Sequence, residues 1–271
     1  MHWDTIKKSI GLFCAFIALA ASYSPMLFAQ CNKELINGWG GEWEPFLMGT
    51  SDKPGGLDID ILDAVISASG CSWKNTPLEL PWARHLGLIK LGQLDIATAA
   101  SWTEERAAYA YFTKPYRSEY AALFVRKQDL EKYSPLPLQE LFRKFHGIGV
   151  EQGNSYGKVM DTLLASIGDQ AQKVNSNKQN VRKLLEKRID GYLGFLPYDA
   201  MLIKKMKLAG KIEMLPLSVT RTGDIHIMLS KKANSEAIFQ ALESGLAKIK
   251  SNGRYERIIK KYSDKYGVSH W

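Results

Sequence analysis

Arg106 stands where an arginine is electrostatically unfavourable, which makes it the first candidate for a binding role. The run Thr103-Glu104-Glu105-Arg106 predicts a helix that begins after Thr103 as its N-cap, so Arg106 falls in the first turn. A cation at that position opposes the helix dipole at a cost of roughly 0.3–1 kcal/mol. The sequence therefore predicts an anionic partner for Arg106, the alternative being a solvated surface arginine beside an acid.

A second candidate is Gly153-Asn154-Ser155-Tyr156-Gly157, which fits the pattern G-x-S-x-G. It follows a predicted strand, Gly147–Val150, and opens a predicted helix, as the nucleophile elbow of a hydrolase does. Possible triad partners follow in chain order, namely Asp190 or Asp224 and then His226 or His270. A serine at a helix start also caps the helix and helps to bind anions without any base, and this interpretation is favoured.

The N-terminus indicates export. Lys7 and Lys8 precede an apolar run, Ile10–Ala21, and Ala29 offers a small residue for cleavage. Because about 20 apolar residues are needed to span a bilayer, this run is typical of a cleaved secretory signal rather than of an anchor. Residues 1–29 are predicted to be a signal peptide, and the remaining protein is expected in the periplasm.

The cysteines agree with an oxidising compartment. Cys14 would be lost with the signal, which leaves Cys31 and Cys71 as an even pair, so one disulfide is predicted. The histidines show no spacing typical of metal ligands, and no metal or other cofactor is expected.

The chain of 271 residues is basic, with a formal charge of +8 that falls to +7 when the two lysines and one aspartate of residues 1–29 are removed. Many of the basic residues lie between Lys248 and Lys265, among Leu246, Ile249 and Ile258 at core spacing. This pattern is typical of solvated helix faces, and no nucleic-acid partner is expected.

The rest of the chain, about 242 residues, alternates short apolar runs with amphipathic stretches. Such alternation predicts βαβ units, parallel sheets and an α/β fold. Two such series are separated near Ala122–Arg126, which predicts two lobes.

Eight short motifs, each weak alone, occur in an order that resembles one known family. The chain is similar to the periplasmic solute-binding proteins of ABC transporters, in the polar amino-acid-binding group (bacterial extracellular solute-binding family 3). The motifs are Trp43-Glu44-Pro45-Phe46, Gly56-Leu57-Asp58-Ile59-Asp60, Gly92-Gln93-Leu94-Asp95, Thr103-Glu104-Glu105-Arg106, Phe112-Thr113-Lys114-Pro115-Tyr116, Gly149-Val150-Glu151-Gln152-Gly153-Asn154-Ser155, Arg188-Ile189-Asp190-Gly191 and Asn252-Gly253-Arg254-Tyr255.

The resemblance implies two Rossmann-like lobes joined by two hinge strands, a periplasmic binding protein-like fold of type II. Lobe one would comprise residues 30–122 and 223–271, and lobe two residues 123–222, with Tyr120–Arg126 and Val219–Asp224 as hinge strands. The family holds its ligand in the cleft and encloses it by hinge closure, and ligands at the carboxyl ends of parallel strands are also what a doubly wound sheet favours.

The resemblance also assigns roles to single residues. Arg106 matches the arginine that holds the ligand carboxylate, to which Asn154 and Ser155 would contribute backbone N–H groups. Thr98 and Ser101 match the loop that binds polar atoms of the ligand.

Aromatic side chains complete the implied site. Trp43 and Trp82 match positions that sandwich the ligand, and a role of either tryptophan in the core or in a lid is the alternative.

Two departures from the family pattern concern the ligand ammonium. The family carries an acid shortly after the Arg188-Ile189-Asp190-Gly191 motif, where this chain has Gly194 and Phe195, and a second family acid is replaced by Gly40. Because an uncompensated buried ammonium is costly, another acid must serve or the ligand is not a standard α-amino acid.

Neighbouring residues offer substitutes. Glu42 and Glu44 are the nearest acids, Arg84 would suit a second anionic group, and Phe195 is a further possible ligand contact.

The sequence as a whole predicts an exported, non-enzymatic and monomeric binding protein. Its partners would be an amino acid or another small carboxylate-bearing ligand and an ABC transporter permease. The alternative is a periplasmic dehydratase on the same fold, resembling cyclohexadienyl dehydratases, with Glu42, Glu151 or His85 as candidate acid or base. A ligand-sensing domain of a membrane receptor is a third, disfavoured class.

Overall fold

The structure, a computed structural model, describes Cys31 and residues 33–268. The predicted signal peptide, residues 1–29, and His270 lie outside the described residues. Within the described part of the chain, no helix is both long and apolar enough to cross a membrane.

Strands and helices alternate along most of the chain, as the sequence predicts. The strands are β1 Glu34–Trp39, β2 Met48–Gly49, β3 Pro54–Gly55, β4 Ser72–Glu79, β5 Ile96–Ser101, β6 Ala110–Phe112, β7 Arg117–Arg126, β8 Ile148–Glu151, β9 Ala171–Val174, β10 Gly191–Leu196, β11 Ile212–Met214 and β12 Thr220–Ser230. The α-helices are α1 Leu57–Ser69, α2 Trp82–Leu91, α3 Glu104–Ala107, α4 Leu130–Tyr133, α5 Leu138–Lys144, α6 Gly157–Ile167, α7 Asn177–Leu185, α8 Tyr198–Lys205, α9 Glu236–Ser251 and α10 Arg254–Tyr266.

A single curled sheet runs through both lobes. Its main path is β4-β1-β5-β12-β7-β10-β8-β9, with β6 paired to β12 and β11 paired to β7. The strands are parallel at the two ends of this path, where βαβ units occur. They are antiparallel in the middle, so the sheet is mixed rather than parallel throughout as the alternation predicts.

The antiparallel middle of the sheet consists of the two strands that pass between the lobes. The predicted hinge segment Tyr120–Arg126 falls within β7, and Val219–Asp224 falls within β12 except for Val219. The two strands pair with each other from Thr220 opposite Ala121 to Ile225 opposite Arg117. Both strands are longer than predicted, because each continues from the crossover into the sheet of a lobe. The exact lobe boundaries remain a prediction.

Each lobe has its own hydrophobic core on the two faces of its part of the sheet. In lobe one, α1 packs against α9 and α10 around Leu35, Ile61 and Leu246. In lobe two, separate clusters form around Phe142 and Tyr192. Separate cores joined by only two long strands are what a hinged pair of lobes requires.

Cys31 and Cys71 form a disulfide, as predicted. Their Cα atoms are 4.8 Å apart. The bond joins the segment before β1 to the residue between α1 and β4, and so staples the first βαβ unit of lobe one.

Candidate functional site

A cavity of about 540 Å³ lies between the lobes. Strands β1 and β5 and helix α2 contribute to its lobe-one wall, and the ends of β8 and β10 with the start of α7 contribute to its lobe-two wall. The predicted ligand-binding residues that line it are Trp43, Trp82, Thr98, Ser101, Arg106, Asn154 and Ser155, together with Glu42 and Phe195 from the second group of candidates. Arg84 is exposed and does not line this cavity, because it points away from the wall formed by Trp82 and His85 on the same helix.

Arg106 is a buried cation at the boundary between the lobes. Thr103 caps α3 as predicted, accepting a hydrogen bond of 3.2 Å from the Arg106 backbone N–H. The guanidinium donates through Nη1 to the Ser101 carbonyl (2.6 Å) and through Nη2 to the Gly153 carbonyl of lobe two (2.7 Å). Burial lowers the pKa of Arg106, but a guanidinium stays charged at neutral pH.

No carboxylate of a described residue forms an ion pair with Arg106, although its side chain is almost fully buried. Its two recognised partners are backbone carbonyls, which carry only partial charge. The cavity therefore contains an uncompensated positive charge, and a small anion would find there a fork-shaped donor and a low-dielectric environment.

The loop at the end of β5 is held by Tyr116. The Tyr116 hydroxyl lies 2.8 Å from the Thr98 hydroxyl and accepts a hydrogen bond of 2.9 Å from the Ala99 backbone N–H. Ala99 has φ of 58°, in the left-handed region that non-glycine residues seldom adopt. The hydroxyl of Thr98 thus helps to anchor this unusual loop at the wall of the cavity.

Ser155 is bonded to a carboxylate rather than to a base. Its Oγ donates to Asp161 Oδ2 (2.6 Å), and the Tyr156 N–H donates to Asp161 Oδ1 (2.8 Å). His226, a possible triad histidine, is engaged with the Thr113 carbonyl at 2.6 Å. Among the described residues no histidine reaches Ser155, so the hydrolase interpretation finds no support in them. Helix α6 begins at Gly157, two residues after Ser155, because Gly157 has a φ of 83°, outside the right-handed helical region.

Aromatic rings pack across the cleft. Trp43 of lobe one has its ring centroid 6.1 Å from that of Phe195 and 5.8 Å from that of Tyr198, both in lobe two. Phe195 also stacks on Tyr156 at 5.1 Å. On the opposite side, the guanidinium of Arg106 lies 5.8 Å from the Trp82 ring, a cation–π distance.

The two acids suggested as substitutes for the missing family carboxylates are engaged elsewhere. Glu42 lines the cavity, but both of its oxygens lie 2.7 Å from Lys205 Nζ, an ion pair between the lobes. Glu44 does not line this cavity, and its Oε1 accepts a hydrogen bond of 2.8 Å from the Tyr266 hydroxyl.

Glu119, which also lines the cavity, is paired with a cation of the protein itself. Arg117 Nη1 lies 3.1 Å from its Oε1, and the same guanidinium makes a two-bond pair with Asp58 at 2.8 and 2.9 Å. Burial raises the pKa of Glu119 to about 7, in spite of this pairing. The charge of Glu119 is therefore balanced within the protein.

Asp199 fills the space next to Gly194, which with Phe195 stands where the family carries its missing acid. A Cβ at Gly194 would lie 2.5 Å from Asp199 Cγ. Asp199 Oδ2 accepts hydrogen bonds from Asn177 Nδ2 (3.0 Å) and from the Phe195 N–H (2.8 Å). Burial raises the pKa of Asp199 to about 8, and its side chain lies behind the wall rather than in the cavity.

Glu151, at the carboxyl end of β8, was considered above only as an acid or base for the alternative enzyme. It lines the cavity, and burial raises the pKa of its carboxyl to about 7. The carboxylate accepts a hydrogen bond from the Asn177 backbone N–H, at the start of α7. Among the residues that the structure describes, no Lys, Arg or His forms an ion pair with it. An acid directly after a buried strand, beside the anion-binding turn, was the sequence feature that could have identified it.

His85 is an unsuitable acid or base. Burial lowers its pKa to about 4, and Nε2 lies 3.3 Å from the Ile96 carbonyl, which requires that nitrogen to carry the proton. The ring also packs against Gly38, where a Cβ would lie 2.7 Å from two ring atoms. His85 therefore serves as a neutral packing and hydrogen-bonding group.

Residues 35–265 match the family described as bacterial extracellular solute-binding proteins, family 3, and the chain belongs to that family. The ABC transporter arginine-binding protein 1 of Escherichia coli (strain K12) is 23% identical over 253 residues, which cover 89% of this chain and 96% of that protein.

Solved structures agree on the fold. The arginine-, lysine-, histidine-binding protein ArtJ of Geobacillus stearothermophilus has a TM-score of 0.68 at 18% identity, covering 87% of this chain and 96% of that one. A histidine kinase sensor domain similar to periplasmic binding proteins has a TM-score of 0.70 at 18% identity, covering 86% and 96%. This chain is thus a bacterial extracellular solute-binding protein of family 3, and the ArtJ protein and the sensor domain share its architecture.

Proposed function

We propose that this protein captures a free amino acid in the cavity between its lobes and delivers it to an ABC transporter permease. The observation that carries the proposal is Arg106, a buried guanidinium that faces the cavity and forms no ion pair with a described residue. A ligand carboxylate would supply the missing negative charge, and the Ser155 backbone at the opposite wall would approach the same group on closure.

A basic amino acid is the first ligand to test. The relatives named above include proteins that bind arginine. Of the acids on the cavity wall, Glu42 and Glu119 are paired with Lys205 and Arg117. Glu79 and Glu151 form no ion pair with a described residue and remain available to positively charged groups of a ligand.

Substitution of Arg106 tests the proposal. Arg106→Ala is expected to weaken binding of L-arginine by roughly 2–4 kcal/mol, since the ligand carboxylate would lose a charged, desolvated partner. Isothermal titration calorimetry of the two proteins measures this change, and Arg84→Ala is the matched control because Arg84 is on the exposed side of α2. Equal affinity in wild type and Arg106→Ala would refute the assignment.

The cellular setting belongs to the same proposal. Removal of residues 1–29 would release a monomer into the periplasm, where residues 30–122 with 223–271 form lobe one and residues 123–222 form lobe two. N-terminal sequencing of the protein from the periplasmic fraction tests the cleavage, and a chain that still begins at Met1 would contradict it.

One observation favours a second candidate, a dehydratase on this fold. Glu151 lies in the cavity with its pKa raised to about 7, a value suited to general acid–base catalysis. Incubation with prephenate separates the two functions: loss of prephenate that depends on Glu151 would replace the transport proposal, whereas binding of an amino acid without turnover supports transport.

A further inference from the structure

The cavity contains a half-buried carboxyl group, Glu151, opposite the buried guanidinium of Arg106. Glu151 lies on the lobe-two wall and Arg106 on the lobe-one wall. Neither forms an ion pair with a described residue, and removing a charge from water without a partner is costly. A carboxyl group and a guanidinium that both lack an ion-pair partner in one cavity fit a zwitterionic ligand.

The strand register places Glu151 next to Gly194 and Phe195, the residues near the position where the family carries its ammonium-binding acid. Strands β8 and β10 are parallel neighbours, with Ile148 beside Gly191 and Gly149 beside Tyr192. Continued by two residues, this register brings Glu151 beside Gly194. Gly194 does not line the cavity, and a side chain there would meet Asp199. Glu151, at the end of the neighbouring strand, does line the cavity and is therefore the acid of this region that a ligand can reach.

Two other acids of the cavity wall have cationic partners. Glu42 is paired with Lys205, and Glu119 is paired with Arg117. Asp199 fills the space that a side chain at Gly194 would occupy, but it is fully buried behind the wall and bonded to Asn177 and to the Phe195 backbone. Glu79 also lines the cavity without an ion pair to a described residue, but its side chain is exposed. Glu151 is therefore the half-buried acid of the wall that lacks a cationic partner among the described residues.

We propose that Glu151 binds the α-ammonium group of the ligand, in place of the acid that the family carries near the positions of Gly194 and Phe195, while Arg106 binds the carboxylate. This inference rests on the proposed function, because it assumes an amino-acid ligand. The specificity-determining acid has moved from one strand to its neighbour, and the site keeps its charge complementarity to an α-amino acid.

Binding of an ammonium group at Glu151 is coupled to the release of a proton. The titratable groups that influence or are influenced by Glu151 are Tyr156 on the turn before α6, and Tyr198 and Asp199 on α8. All three are neutral at pH 6.5, because burial raises the pKa of each, so none of them supplies a positive charge. An ammonium beside Glu151 stabilises its ionised form, and ligand binding near pH 6.5 therefore releases protons.

The test compares amino acids with their deaminated counterparts. The twenty L-amino acids are screened by calorimetry against wild type, Glu151→Gln, Arg106→Ala and the control Glu131→Gln, an exposed acid of lobe two. Each binder is then compared with the acid that lacks only the amino group, which for L-arginine is 5-guanidinopentanoic acid. Titration at pH 6.5 in two buffers of different ionisation enthalpy counts the protons released.

We expect Glu151→Gln to weaken the binding of the amino acid at least about tenfold and to abolish proton release, with Glu131→Gln unchanged. The deaminated acid is expected to bind wild type and Glu151→Gln equally weakly. A residue that only capped α7 would not change proton release or the preference for the amine.

The possible failures are distinguishable. Equal binding by Glu151→Gln and wild type, with Arg106→Ala impaired, overturns this inference and leaves the proposed function intact. Loss in Glu151→Gln with Arg106→Ala unimpaired overturns the carboxylate assignment instead. If no amino acid binds wild type, both are overturned together. Thermal melting of each variant shows whether lost binding reflects lost folding.

Discussion

At the scale of single residues, this protein tolerates charges that a purely structural core would avoid. Arg106 is buried and Glu151 is half-buried, both lack an ionic partner among the described residues, and burial displaces the pKa of each. Groups of this kind concentrate at functional sites, because a ligand completes the interactions that folding leaves open. By contrast, Arg117 is buried between Asp58 and Glu119 and is fully paired, which is typical of a structural network.

The raised pKa of Glu151 predicts a pH-dependent effect on stability. A carboxyl with pKa near 4.5 in the unfolded chain and about 7 in the folded protein holds more protons when folded, so its contribution to stability falls as pH rises from about 4.5 to about 7. Glu151→Gln removes this penalty. The variant is expected to match wild type near pH 5 and to exceed it near pH 8, by on the order of 2–3 kcal/mol.

Urea denaturation of both proteins at the two pH values measures the difference. Glu131→Gln serves as the control, since its side chain is exposed and its substitution should not change the pH profile. The charge of Glu151 contributes to the raised pKa of Asp199, so Glu151→Gln also lowers the pKa of Asp199 and stabilises the variant near pH 8 in the same direction. A difference between Glu151→Gln and wild type that does not vary with pH would contradict the prediction.

At the scale of secondary-structure elements, the site is positioned by the ends of strands and the helices that follow them. The capped helix α3 after β5 turns Arg106 back toward the Ser101 carbonyl. The turn after β8 presents the Gly153 carbonyl to the same guanidinium. Each wall of the cavity thus depends on a short βα connection. In lobe one, the strand β5 that leads into this connection pairs with β1, which belongs to the unit closed by the disulfide.

The disulfide prediction belongs to this scale. Cys31 and Cys71 are separated by 40 positions in the sequence. In the chain-entropy model, a disulfide that closes a loop of this length stabilises the protein by roughly 4 kcal/mol. Cys31→Ser/Cys71→Ser is expected to lower the free energy of unfolding by an amount of that order. Chemical denaturation measures it, and wild type treated with a reductant should reproduce the variant. If neither protein loses stability, the disulfide contributes nothing to the fold.

At the scale of the whole molecule, the contacts between the lobes describe a closed cleft. Arg106 reaches the Gly153 carbonyl, Glu42 pairs with Lys205, and Trp43 packs against Phe195. Only β7 and β12 cross between the lobes within the main sheet path, so a rotation about these strands would open the cavity while leaving both cores intact. A ligand that touches both lobes stabilises the closed state by its differential affinity.

Closure by the ligand is testable in solution. Small-angle X-ray scattering of wild type is expected to give a smaller radius of gyration with a saturating amino acid than without it. Arg106→Ala at the same amino-acid concentration should show no such decrease, because it loses contacts to the ligand and to lobe two at once. An identical radius of gyration in wild type with and without bound ligand would contradict hinge closure.

Much of the fold was predictable from local pattern. Apolar periodicity and flanking glycines determine the ends of an element within a few residues. Strand Glu34–Trp39 and helices Leu57–Ser69 and Arg254–Tyr266 are elements of this kind. The short strands β6 and β11 were missed, because three residues carry no periodicity and exist only through pairing with β12 and β7.

The sequence by itself determined the Thr103 cap, the pairing of Cys31 with Cys71, and a part of the cavity wall, because these follow from motifs of adjacent residues or from cysteine number. It could not determine which acid lacks a partner. Lys205 lies 163 residues from Glu42 in the chain, and Asp199 fills the space at Gly194 only because α8 packs against β10. Electrostatic pairing depends on distance in space, and therefore only the tertiary structure distinguished Glu151, a half-buried acid of the cavity wall without a cation, from the acids already neutralised.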